Sequence, residues 1–170
     1  MRFIDPHHDH WHSAAGGDGP RPSPSPADFS LLTLEQWHAV RSHWPASLQV
    51  GVVLPNDDDI EVLQPDLPRL ALVVLQFPKW TDGRAYTQAR LLRTRLRFAG
   101  EVRASGEVLV DMLPLLQRTG FDAVQLRADQ SLESAQRALR FFAGHYQGDT
   151  VEPRPLFTRP GPTGGVHVGH

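Results

Sequence analysis

The chain has 170 residues, no cysteine and a formal net charge of -2, a size that suggests one domain with tails. Without thiols it can build no disulfide, no thiolate-ligated zinc or iron–sulfur site and no cysteine nucleophile. The near-neutral charge gives no global signature of nucleic-acid binding, and no apolar run approaches the ~20 residues of a membrane span.

Met1 to Pro6 lacks the apolar core of a signal peptide, so the cytoplasm is the expected compartment. His7, His8, Asp9, His10 and His12 follow as a cluster. Imidazoles and carboxylates bind divalent metals, but a fixed site needs scaffolded ligands, so loose affinity and no resident metal are expected. Ser13 to Ala27 is too rich in Gly, Pro and Ser to pack. Residues 1–27 therefore read as a flexible segment, 28–147 as an α/β domain and 148–170 as a disordered Pro/Gly-rich tail.

Within the domain, Phe29 to Leu32 is a short strand candidate. Thr33 to Gln36 fits a capping box, opening a helix that buries Leu34, Trp37 and Val40. Leu48 to Leu54 reads as the next strand, and Asn56-Asp57-Asp58 opens a short helix through Leu63. Leu70 to Gln76 is a continuous apolar strand of the kind buried on both faces. A helix after Asp82 sets Ala85, Ala89, Leu92 and Leu96 on one stripe. Glu101 to Ala104 is a short strand, followed by a helix from about Glu107 to Thr119. Pro114 predicts a kink or break inside that helix, and Gly120 caps its end. Ala123 to Leu126 is the last strand. Ser131 caps a final helix burying Leu132, Ala135, Leu139 and Phe142.

Strand-then-helix alternation predicts a small, mostly parallel α/β sheet. Five strands are too few for a closed eight-stranded barrel. An open doubly wound sheet and a barrel-like fragment remain, with the open sheet preferred.

In a parallel sheet the strand C-termini share one edge, where ligands bind. Polar loops starting at Pro55, Lys79, Arg103 and Arg127 would converge there. Lys79, Arg84 and Arg103 could hold a small anion, helped by free N–H groups at helix starts. Asp82 or Glu107 could act as acid or base. The plainer alternative is that such loops are polar anyway and that Asp82 and Asp129 are helix caps. Arg90, Arg93 and Arg97 fall within about 60° on one helix side, a ridge suited to an acidic partner or to plain solvent. Trp80 could anchor a partner or sit in the core. No dinucleotide fingerprint, P-loop or nucleophile elbow occurs, so no motif indicates a cofactor.

The blocks Phe77-Pro78-Lys79-Trp80-Thr81-Asp82-Gly83-Arg84-Ala85-Tyr86, Ala89-Arg90-Leu91-Leu92-Arg93, Gly100 to Leu109 and Arg118-Thr119-Gly120-Phe121-Asp122-Ala123 resemble the bacterial domain of unknown function 934. The resemblance runs from about Val50 to Gln147. Thr87 stands where that family usually has Ser, Val110 and Met112 flank Asp111 where Arg and Gln are common, and Thr119 replaces a frequent Cys. Any thiol-based role of the family would be lost here. The resemblance implies an accessory protein of reductive sulfate assimilation, with sulfite reductase as partner, because members usually lie beside its genes. It also implies an oxidoreductase label that rests on neighbourhood. A small α/β enzyme acting on an anionic sulfur or phosphate compound, and an interaction module without catalysis, are the alternatives. The residues leave the oligomeric state open.

Overall fold

The computed structural model describes residues 1–16, 19–20 and 23–141. Its strands are β1 (Arg2–Phe3), β2 (His12–Ser13), β3 (Ala15–Gly16), β4 (Gly19–Pro20), β5 (Ser30–Thr33), β6 (Val50–Leu54), β7 (Leu72–Phe77), β8 (Glu101–Gly106) and β9 (Ala123–Val124). Its α-helices are α1 (Leu34–Val40), α2 (Arg84–Thr94), α3 (Leu113–Thr119) and α4 (Leu132–Phe141). Apart from the small antiparallel pair β3–β4, the strands form one seven-stranded parallel sheet in the order β1-β9-β8-β7-β6-β5-β2.

From β5 to β9 every strand pairs with the next in sequence, with no reversal. Right-handed crossovers that always step the same way keep their helices on one face. A sheet covered on one face curls, and here it forms a half-barrel. The barrel-like fragment is thus the fold, and the doubly wound order, which needs a switch point, does not occur.

The core lies between sheet and helices. Val52, Leu54, Val73, Leu75, Phe77, Val102 and Ala104 point into it, against Trp37, Ala85, Ala89, Leu92, Leu113 and Leu116. Side chains alternate across a strand, so Val53, Gln76, Glu101 and Arg103 face the hollow side of the half-barrel. The N-terminal segment crosses that side. It leaves β1 beside β9 and enters β2 beside β5, and on the way Asp9 pairs with Arg103.

The first residues, expected from composition to be a flexible segment, contribute strands to both edges of the sheet. Arg2–Phe3 and His12–Ser13 are edge strands of the sheet, and Asp5 and Asp9 fold the His-rich stretch through bonds to His7, His8 and Trp11. Parallel pairing at both sheet edges overrides the composition. The tail, residues 148–170, lies outside the described residues.

Local signals explain most element boundaries. The Thr33–Gln36 capping box is present in both directions. The helix expected at Asn56 is instead a 3-10 turn, Ile60–Leu63, capped by Asp59. The helix expected from Glu107 is divided into a 3-10 turn, Val110–Met112, and α3, which Pro114 starts from its first turn, where a missing N–H costs nothing. Gly120 ends α3 at φ 104°. In α4, Ala135 is buried while Leu132 is exposed, and Phe142 lies outside the described residues.

Candidate functional site

The C-terminal ends of β5 to β8 form the mouth of the half-barrel. Register pairs Thr33 with Val53, Leu54 with Leu75 and Phe77 with Gly106, so these strands end nearly level. Gly106 makes that closeness workable. Its φ is +95°, and a Cβ there would lie 2.5 Å from the Phe77 carbonyl oxygen.

The loop after β6 is tied to α2 by a buried amide. Gln88 Nε2 donates to the carbonyls of Pro55 (2.9 Å) and Asp58 (2.8 Å). Below this clamp lies a cavity of about 400 Å³ whose walls include Asn56, Asp57, Gln76, Arg84 and Gly106. Asn56 is 6% exposed, and among the described residues its Nδ2 makes no well-formed hydrogen bond, with the Asp82 carboxylate as a weak partner.

Arg84 is exposed but not free. Its Nε and Nη2 grip the Asp82 carboxylate at 2.7 to 3.2 Å, and Asp82 also accepts from the Arg84 backbone N–H. The Arg84 guanidinium, then its backbone N–H, hold Asp82 far below the usual carboxylate range, with Asn56 adding a minor pull. Asp82 in turn raises Arg84. A carboxylate so held is a poor proton donor or acceptor near neutrality.

The loops after β8 and β9 make a second cluster. Glu107 accepts from Arg127 Nη1 at 2.7 Å, and Asp129 grips the same guanidinium at 2.7 Å through both nitrogens it meets. Arg127 pulls Asp129 down to about 2. Glu107 is therefore engaged, and it does not line the cavity that holds Arg84.

The remaining expected site residues are dispersed. Lys79 is exposed and forms no ion pair among the described residues. Arg103 is not in a loop at the edge. It lies inside β8, 3% exposed, neutralised by Asp9 and by Glu101 at 3.0 Å, because β8 runs to Gly106 rather than ending at Ala104. The basic ridge also dissolves. Arg90 is exposed. Arg93 turns inward, donating to the carbonyls of Gly120 (2.9 Å), Phe98 (2.6 Å) and Gly100 (2.8 Å) and pairing with Asp122. Arg97 lies beyond the end of α2 at φ 56°. Trp80 is exposed, not part of the core.

A larger cavity beside this one was not anticipated. It is about 870 Å³ and opens between β5, β6 and α1, with Thr33, Glu35, His38, Val53, Asp58 and Gln76 among its walls. Gln76 and Pro55 line both cavities, so the two adjoin. The signal for Gln76 was present: one amide within the apolar run Leu72 to Phe77. Thr33 was hidden because its capping box with Gln36 explains it without a ligand, and Glu35 because an acidic residue in a first helical turn is explained by the helix dipole.

Among the described residues no group of three or more His, Cys, Asp or Glu side chains could hold a metal, and no helix is long and apolar enough to cross a membrane. Residues 51–157 match the sequence profile of DUF934, described as a bacterial protein of unknown function. A search of curated proteins gave no match.

Proposed function

From the premise that this chain belongs to the DUF934 family, we propose that it is a binding accessory of reductive sulfate assimilation, holding a small oxyanion at the half-barrel mouth beside sulfite reductase. The pathway comes from the family resemblance drawn above. The mode of action comes from the side chains.

One observation carries the binding role. The buried Nδ2 of Asn56 and the guanidinium of Arg84 belong to one cavity wall, and Nδ2 has only a minor pull on Asp82 and no well-formed hydrogen bond among the described residues. An unmet buried donor costs roughly 1–3 kcal/mol, which a bound oxyanion would offset. Arg84 keeps Nη1 clear of Asp82 and so can add a charge-assisted bond. Asp57 and Asp82 work against high affinity, so the binding is weak and salt-sensitive. Both expected acid–base carboxylates, Asp82 and Glu107, are engaged by arginines, which favours binding over turnover. Trp80, exposed beside Lys79, is the aromatic anchor that a partner surface would use.

The test is a calorimetric titration of the full chain with sulfite and sulfate, alongside Arg84→Ala and a co-sedimentation assay with sulfite reductase. Saturable sulfite binding, lost in Arg84→Ala, is expected. Identical heats for wild type and variant, with no complex formed, would overturn the reading.

A further inference from the structure

The oxyanion cavity is the small end of a larger space. Its 400 Å³ adjoins about 870 Å³ across Gln76 and Pro55. Sites for small organic molecules usually span about 300–1,000 Å³ and are mostly apolar with a few placed polar groups. An inorganic oxyanion would leave most of this space unfilled.

The walls of the larger cavity differ in chemistry from the smaller. Leu34, Ala39, Val53 and Pro55 supply apolar surface. Glu35 and Asp58 supply carboxylates, and no Lys or Arg lines it. Gln76 stands at the junction. It is the exposed position in a strand whose other five residues are buried, and its side-chain amide makes no hydrogen bond among the described residues. A barrel-strand residue near the C-terminal end, pointing into the hollow side, is where such folds hold ligands.

We propose that this mouth binds an organic zwitterion: an anionic head at Asn56 and Arg84, an apolar body past Gln76 and Val53, and an amine at Glu35 and Asp58. The inference rests on the oxyanion reading for its head group and goes beyond it in naming the ligand class. The Gln76 amide, with one donor edge and one acceptor edge, fixes the ligand where the two cavities meet. The carboxylates of the larger cavity reject dianions of the same length, because a second negative charge would face Glu35 and Asp58 unpaired.

The experiment is a calorimetric series on the full chain with sulfite, methanesulfonate, pentanesulfonate and 5-aminopentanesulfonate. Affinity is expected to rise by about fourfold for each methylene that is buried, and several-fold again with the amine. Ala39→Trp, at an exposed helix position in the larger cavity, is expected to remove both gains and leave sulfite binding as in wild type. Glu35→Gln is expected to remove only the gain from the amine. Sulfite binding that equals the binding of both longer sulfonates overturns this proposal and leaves the oxyanion reading intact. Binding of the longer sulfonates without sulfite supports it and removes the inorganic ligand. Binding of none overturns both.

Discussion

The guanidinium of Arg103 and the carboxylate of Asp9, 94 positions earlier, form an ion pair inside the half-barrel, with side chains 3% and 13% exposed. This pair ties the N-terminal crossing to the sheet. Removing one partner of a buried pair costs roughly 3–5 kcal/mol, because the other charge is stranded. Glu101 still holds Arg103 Nε at 3.0 Å, so Asp9→Ala should fall near the low end, about 3 kcal/mol. Asp9→Asn combined with Arg103→Met, which removes both charges, should cost less than Asp9→Ala. Urea unfolding reads both. An Asp9→Ala chain within about 0.5 kcal/mol of wild type would mean that the crossing is not anchored there.

Arg93 is predicted to be a stability residue and not a partner contact. It bonds three main-chain carbonyls and Asp122 from one planar fork, joining the end of α2 to the turns before β8 and β9. Lysine has the charge but not the fork. Arg93→Lys should therefore destabilise nearly as much as Arg93→Ala, by about 2 kcal/mol or more. Thermal melts of both variants decide it. A fully rescuing lysine would return Arg93 to the role of a simple surface cation.

Gly106→Ala tests whether the mouth needs its close strand ends. The substitution meets both the left-handed backbone at φ +95° and the Phe77 carbonyl at 2.5 Å. A loss of about 2 kcal/mol is expected, together with weaker ligand binding, since Gly106 lines the Arg84 cavity. Gly83→Ala is the control. Its φ is -84°, and its Cβ would find nothing nearer than Tyr86 at 3.8 Å. Equal effects at the two glycines would contradict this account.

Most of the sheet was legible because β-strand burial is written locally. Leu72 to Phe77 and Val50 to Leu54 are apolar runs that no helix period fits. The capping box at Thr33 and the αL cap at Gly120 are equally local. What could not be read is what depends on distant partners. Arg93 looks like part of a solvated stripe until Gly120 and Asp122 arrive from beyond β8. Arg103 looks like a loop cation because nothing in its neighbourhood announces Asp9. The edge strand His12–Ser13 has polar, poorly packing residues, and only Ser30 and Leu31 across the ladder make it a strand. Charge pairing at the strand ends is equally hidden from the sequence, since Asp82 and Arg84 neutralise each other only once α2 has begun.

Acid should weaken the chain through Asp129 and Asp82. Both carboxylates have folded pKa values below the ordinary 3.8, Asp129 at about 2. A depressed pKa means that the folded state prefers the ionised form. The stability it contributes is complete above the unfolded value and is lost as pH falls through the folded one. The window is therefore about pH 4 down to 2, with Asp82 extending lower. Asp129→Asn should flatten the upper part of this acid limb and leave stability at pH 7 to 9 without added slope. NMR titration of the Asp129 carboxylate should give a midpoint near 2. A midpoint near 4 would show that the Arg127 grip does not persist in solution.

Arg84 is predicted to be limited by its own acidic neighbours. Asp82 occupies two of its nitrogens, and Asp57, in the same cavity wall, pulls on it through space. Both would repel an incoming oxyanion. Asp57→Asn removes one like charge without touching the Asp82 pair, and a unit charge a few ångströms away is worth about 1 kcal/mol in water-like surroundings. Sulfite should then bind roughly threefold to tenfold tighter, with the difference shrinking as salt is raised. Asp82→Asn should act differently. It frees the guanidinium but releases the start of α2, so binding tightens less than the charge alone predicts while the melting temperature falls. Unchanged or weaker sulfite binding in Asp57→Asn would mean that the anion does not sit beside Asp57, and the anionic head group would have to be placed elsewhere.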